Sequence, residues 1–180
     1  MAPPLTHRIA TLADLDALHR VMERSIAQNQ SDFLDANQVA ASHKVMGIDS
    51  QLVRDGTYFM VESEGRVAGC GGWSFRATLY GGDDSVVARE PARLDPATDA
   101  AKVRAMYTDP DFVRRGIGTL ILSLCEGAAR GAGFARVELM ATAAGVPLYR
   151  ARGYEPVDDL QFARIEDVAV PLLRMEKRLV

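Results

Sequence analysis

Apolar residues recur every three to four positions over two long stretches of this chain, and in short unbroken runs elsewhere. Leu15, Leu18, Met22 and Ile26 make one stripe beside polar Asp16, His19, Arg20, Glu23 and Arg24, which predicts an amphipathic helix running to about Ala27. Thr11-Leu12-Ala13-Asp14 marks its start as a capping box, in which hydroxyl and carboxylate satisfy amides that the first turn leaves free. A fuller stripe of Ile117, Leu120, Ile121, Leu124, Cys125, Ala128 and Ala129 predicts a long helix docked on a core and stopped by Gly131 and Gly133. Asp32 to Val45 predicts a weaker second helix with Gly47 as its stop, and Ala143 to Arg152 a short one ended by Gly153.

The shorter runs read as strands. Tyr58 to Glu62 and Arg66 to Phe75 flank the turn signal Glu64-Gly65 and predict a hairpin. Lys102 to Thr108, closed by Asp109-Pro110, then Arg136 to Ala141 and Val168 to Arg178 complete the set, with a short mixed segment from His7 to Ala10 at the start. Gly69, Gly71 and Gly72 inside a strand pattern predict a bulge, or a place where another backbone or a ligand comes close. Residues 80–99 carry two prolines, five acids against two bases and no periodicity, so they predict a partly mobile loop excursion. The order β α α β β, loop, β α β α β predicts an α/β fold, a mixed sheet covered by helices.

With 180 residues, 48% of them apolar, the chain suffices for one domain's core without metal or disulfide staples. No apolar run approaches the roughly 18 residues of a membrane span, and the first residues lack the pattern of a secretory signal, so a cytoplasmic protein is expected. Cys70 and Cys125 each sit in an apolar stretch and read as small buried hydrophobes. His7, His19 and His43 have no ligand spacing, so no metal site is expected. The formal net charge is −3, yet residues 101–136 hold six basic residues against three acids. Such a local field suits a small anionic ligand rather than a nucleic acid, which needs a broad basic patch.

The chemistry concentrates at Phe112-Val113-Arg114-Arg115-Gly116-Ile117-Gly118-Thr119, between a strand and the long helix. Glycines let successive N–H groups approach phosphate oxygens, the helix N-terminus adds partial positive charge, and Arg114 and Arg115 add more. The two familiar phosphate loops do not fit. Gly118 is followed by Thr119-Leu120 rather than Lys-Ser/Thr, and Ile121 stands where a dinucleotide fingerprint needs its third glycine.

Val113 to Gly118 instead resembles the pyrophosphate loop of the GNAT acetyltransferase superfamily, Gln/Arg-x-x-Gly-x-Gly/Ala. Upstream, Met106-Tyr107-Thr108-Asp109-Pro110 is similar to the family's strand ending before a proline. Downstream, Leu148-Tyr149-Arg150-Ala151-Arg152-Gly153-Tyr154 looks like its Tyr-x-x-x-Gly-Phe/Tyr element. The resemblance covers nearly the whole chain. It implies one domain, 1–180, with 80–99 as an insertion, and a GNAT-like α/β fold. That fold is a central mixed, mostly antiparallel sheet flanked by helices, in the order β α α β β β α β α β β.

The resemblance further implies acetyl-coenzyme A (acetyl-CoA) as co-substrate and direct attack by a primary amine of a small molecule or peptide in a ternary complex. Met106, Tyr107 and Thr108 would then lie beside the pantetheine arm as a pseudo-strand, with the Met106 amide at the thioester carbonyl. Arg114, Arg115, Gly116, Ile117, Gly118 and Thr119 would hold the pyrophosphate through their amides. Tyr149 would protonate the leaving thiolate, a job that suits a phenol with an ordinary pKa near 10.

Three departures stand out. Val113 replaces the family's Gln/Arg, and Thr142 stands where many members have an Asn on the pantetheine. Lys102 and Arg104 occupy the strand that often carries a carboxylate base, which leaves a water to take the proton, since Glu23, Asp32 and Glu62 read as solvated acids.

The acceptor site is expected to be built by the first two helices, the Gly69 to Phe75 strand and the 80–99 loop. Together these are net acidic, with Trp73, Phe75 and Tyr80 as an aromatic wall or as core. A homodimer is expected on the family's habit, with neither nucleic acid nor membrane as partner. Two other readings stay open: a non-catalytic acyl-CoA sensor, and transfer of a bulkier acyl group into space left by Gly69, Gly71 and Gly72.

Overall fold

The computed structural model describes residues 3–180. Strand β1 (Thr6–Ile9) leads through a one-turn 3-10 helix into α1 (Leu15–Asn29), followed by α2 (Ala36–Val45) and a short α3 (Ser50–Arg54). The hairpin β2 (Tyr58–Ser63) and β3 (Arg66–Ser74) precedes β4 (Ala101–Thr108), α4 (Ile117–Gly131) and β5 (Arg136–Thr142). The chain closes with α5 (Val146–Ala151), β6 (Glu155–Pro156), β7 (Gln161–Ile165) and β8 (Val168–Arg178).

The capping box forms as expected, with the Thr11 N–H donating to Asp14 Oδ2 at 2.7 Å, although a 3-10 turn intervenes before α1 proper. Helix α2 starts later than the pattern suggests because Asp35, rather than Asp32, takes the N-cap and accepts the Gln38 N–H. Helix α3 carries no sequence signal of its own, because five residues are too few to show a period, and Asp49 caps it. Two small strands, β6 and β7, precede β8 in the C-terminal region, where the sequence shows only one clear run.

The strands form one sheet in the order β1-β2-β3-β4-β5-β8-β6, with β7 pairing the same edge of β8 further along. Every pairing is antiparallel except β4 with β5, so the mixed, mostly antiparallel GNAT-like sheet is present. Successive residues of β2 face opposite layers. Val61 packs with Ile117, Ile121, Cys125 and Ala129 of α4, whereas Met60 packs with Leu18, Met22 and Ile26 of α1. Both cysteines are free and buried, and burial pushes the Cys70 thiol up to about 12.

The strand glycines serve this packing. A Cβ on Gly69 would lie 2.5 Å from Ile117 Cγ2, and one on Gly71 would lie 2.7 Å from Ile121 Cγ2. Helix α4 therefore fills the space that was offered to a bulky acyl group. Of the expected aromatic wall, Trp73 and Phe75 belong to the core, with Trp73 7% exposed and edge-on to Phe75 and Phe134 at 5.9 and 6.1 Å, and only Tyr80 lines the cavity described below. Nor is the 80–99 segment a free loop. Asp83 N–H donates to Ile48 O, Val86 N–H to Lys44 O and Leu94 N–H to Phe75 O, while Arg89 pairs with Asp49 and Asp83.

Gly69→Ala is expected to destabilise the protein by about 1–3 kcal/mol through overpacking under α4. Gly127→Ala, where an added Cβ meets nothing within 4 Å in the middle of α4, should stabilise it by about 0.5–1 kcal/mol. Urea unfolding of the two variants checks the signs.

Candidate active site

Strands β4 and β5 pair only at Ala101 with Val137 and Lys102 with Glu138, then part. The vertex is held by the buried contact of Lys102 with Glu138, which Arg174 also reaches at 2.6 Å. Past it, β4 bends. Ala105 adopts φ 50° and the pairing with β3 slips between Cys70 and Gly72, so two residues of β4 oppose Gly71. Such a bulge sharpens a strand's twist and re-aims its side chains. The Tyr58 hydroxyl fixes it by donating to Ala105 O at 2.6 Å.

The parting opens a cavity of about 200 Å³ lined by β4 from Val103 to Thr108, by Leu139, Met140 and Thr142 of β5, and by Leu148 and Tyr149 of α5. The end of α1 and the 80–99 segment close it, with Asn29 and Gln30 on one side and Tyr80 and Gly81 on the other. Met106, Tyr107, Thr108, Gly118, Thr142 and Tyr149, six of the residues singled out in the sequence, line this one cavity.

Tyr149 reaches it because glycines make room. A Cβ on Gly118 would lie 2.7 Å from Leu148, and one on Gly145 would lie 2.7 Å from the Tyr149 ring, so α5 sits tight against α4. The Tyr149 hydroxyl lies 3.8 Å from Met106 Sδ at the bulge, and its ring meets Tyr154 edge-on at 5.8 Å. Desolvation pushes the Tyr149 phenol above its ordinary pKa, so it carries its proton at neutral pH.

Around the glycine loop, Arg114 has φ 62° and Gly116 φ 79°, separated by Arg115 with an ordinary φ. This alternation curls successive N–H groups into a concavity suited to an anion, at the start of a fifteen-residue helix. Space beside Gly116 is open, since an added Cβ there would touch nothing within 4 Å. The loop is anchored from behind. Arg24 donates to Asp109 at 2.9 Å and reaches Asp111 at 3.1 Å, Arg66 donates to Asp111 at 2.6 Å, and Asn29 donates to Thr108 O at 2.8 Å.

Some side chains named from the sequence face elsewhere. The Arg115 guanidinium donates to Ser63 and Pro3 and stacks on Phe112, and the Ile117 side chain is buried against β3, so these two residues offer the loop only their amides. The Tyr107 hydroxyl accepts from Gly47 N–H and donates to Gly47 O, at 3.0 and 3.1 Å, away from the loop. Glu23, Asp32 and Glu62 do not line the cavity. The acidic acceptor site is also corrected: the cavity wall holds no carboxylate, and its one charged side chain is Arg104. Ser25, Asn29 and Gln30 also line the cavity and carry no motif in the sequence. Their signal was that polar residues continue the α1 face where the apolar stripe ends.

The chain matches the model of the Acetyltransferase (GNAT) family over residues 19–154, and it belongs to that family. No curated protein matches the sequence significantly. Among solved structures it is similar to a GCN5-related N-acetyltransferase from Rhodopseudomonas palustris, 18% identical, covering 99% of this chain and 97% of that one with a TM-score of 0.68. It is similar to PaiA N-acetyltransferase from Thermoplasma acidophilum, solved in complex with coenzyme A, at 12% identity, 97% and 99% coverage and a TM-score of 0.61. A third is yncA of Salmonella typhimurium, assigned as an acetyltransferase and solved with its cofactor acetyl-CoA, at 17% identity, 98% and 94% coverage and a TM-score of 0.63. At these identities the likeness speaks for the fold.

Tyr107→Phe leaves the Gly47 N–H and C=O buried without partners, so it should cost about 1–3 kcal/mol of stability. Thermal and urea unfolding read that loss.

Proposed function

We propose that this protein moves the acetyl group of acetyl-CoA onto a primary amine by direct attack in a ternary complex. The observation that carries the reading is the Tyr149 hydroxyl beside Met106 at the β4 bulge, in a cleft that also receives the glycine loop's helix. A phenol poised there has a use in releasing a thiolate, and none in a protein that only senses an acyl-CoA.

The residues present suit the co-substrate. The concave amides from Arg114 to Thr119 would take its pyrophosphate, and the free edge of β4 at Met106, Tyr107 and Thr108 would pair with the amides of its arm. Thr142 lines the same cavity from β5 and would face that arm. Its hydroxyl oxygen accepts the Gly145 N–H at 3.3 Å and so fixes the turn into α5. The bound thioester supplies the acetyl group. The Met106 N–H would polarise its carbonyl, and Tyr149 would hand its proton to the departing sulfur. No carboxylate lines the cavity, so a water takes the proton that the attacking amine sheds.

Two consequences follow for kinetics. Tyr149→Phe should lower kcat by about 100-fold or more, within the range for losing a positioned acid, and leave the Kd for acetyl-CoA within about 2-fold. Because the Tyr149 pKa is raised, the acid form persists in base, and kcat should show no alkaline fall below about pH 10. Thiol release measured over a pH series with a panel of amines tests both; an unchanged kcat in the phenylalanine variant contradicts the assignment.

Gly116→Glu, which sets a negative charge in the concavity, should abolish acetyl-CoA binding by calorimetry. Binding that survives it would mean that the loop does not hold the pyrophosphate.

A further inference from the structure

The cleft wall carries two polar side chains that the fold leaves unmatched. Arg104 is 3% exposed and is the one charged side chain on the cavity wall. Its Nη2 donates to Asp49 at 3.0 Å and to Gly81 O at 2.7 Å, while its Nε–H has no partner. Gln30, 5% exposed, meets only the Met46 thioether at 4.0 Å through its carboxamide nitrogen, and its Oε1 has no partner. Buried polar atoms are paired in the great majority of cases, so an unpaired donor on Arg104 and an unpaired acceptor on Gln30, two residues of one cavity wall, point to a polar ligand there.

The surroundings decide its charge. Asp49 stands behind Arg104 and is shared: it also pairs with Arg89 at 3.0 Å and caps α3 by accepting the Gln51 N–H. Asp83, which pairs with Arg89 and accepts from Ser50, is half exposed and further out. Arg104 is thus held by Asp49 and Gly81 from one side, and no carboxylate lines the cleft. A guanidinium fixed this way is pre-organised for a carboxylate. A bare ammonium would meet a cation and no compensating acid.

We propose that the acceptor is a small amine that also carries a carboxylate, an amino acid or close relative, received by Arg104 at its carboxylate and by Gln30 at its amine N–H. This rests on the acetyl-transfer reading and adds the substrate class to it. Arg104 is a specificity residue in this assignment and takes no part in proton transfer.

The test uses matched sets: leucine, leucinamide and 3-methylbutylamine, and phenylalanine, phenylalaninamide and phenethylamine. Each is offered with acetyl-CoA, and the product is read by mass spectrometry. The amino acids should exceed their decarboxylated amines in kcat/KM by roughly 10- to 100-fold, the range for one hydrogen bond to a charged group. Arg104→Lys, which keeps the charge and loses the fork, should shrink that ratio. Gln30→Leu removes only the long contact to the Met46 thioether, so it keeps the fold and should raise the acceptor KM by about 10-fold without changing the Kd for acetyl-CoA.

A preference for the decarboxylated amines, or a ratio unmoved in Arg104→Lys, overturns the assignment and leaves acetyl transfer standing. If no amine in the panel is acetylated, calorimetry of the amino acids against the protein loaded with coenzyme A separates the two readings. Binding then supports the substrate class while acetyl transfer to it fails, and absence of binding overturns the substrate class.

Discussion

Two parallel strands that begin as partners and then separate are the constraint on which this molecule's chemistry depends. Backbone N–H and C=O groups are obligatory hydrogen-bonding groups. When β4 and β5 part after Lys102 and Glu138, the facing edges lose their neighbour in the middle of a sheet. The sheet tolerates this because the vertex is clamped by a buried ion pair and because the cleft admits something able to pair in the missing strand's place. A closed sheet of the same sequence order would have no room for a substrate and no unpaired edge to hold one.

Everything placed at the cleft follows from that opening. The bulge at Ala105, fixed by the Tyr58 hydroxyl, turns Met106 toward the gap, and the close approach of α5 to α4 at Gly118 brings Tyr149 to the same spot. The glycine loop is set at the mouth by ion pairs from α1 and β3 to Asp109 and Asp111. Most of these supports are side chains that touch no reacting atom. Their work is to hold backbone amides still, which is what an electrostatic site with few catalytic side chains requires.

Much of this was legible in the sequence, and for definite reasons. Long helices declare themselves by period, so α1 and α4 were placed within about two residues of their ends. The loop from Val113 to Gly118 and the segment from Leu148 to Tyr154 carry residue types that only a few backbones need. Contacts between elements distant in sequence were not legible. Gly69 and Gly71 were open to a ligand reading because nothing local says that Ile117 and Ile121 fill their space. The net acidity of the segments expected to build the acceptor site misled as well, since Asp14 pairs with Arg8 and Asp83 with Arg89, and neither lines the cavity. Gln30 and Arg104 acquire meaning only when α1 and β4 face one cavity.

The central claim is that backbone, more than side chains, receives the co-substrate along the parted edge and in the loop. Amide hydrogen exchange resolved to single residues, with and without acetyl-CoA, addresses it directly. The account predicts slowed exchange in two places together, from Met106 to Thr108 and from Arg114 to Thr119, with little change in α1 or β7. Protection confined to other surfaces, or protection of the loop with none along β4, would contradict it.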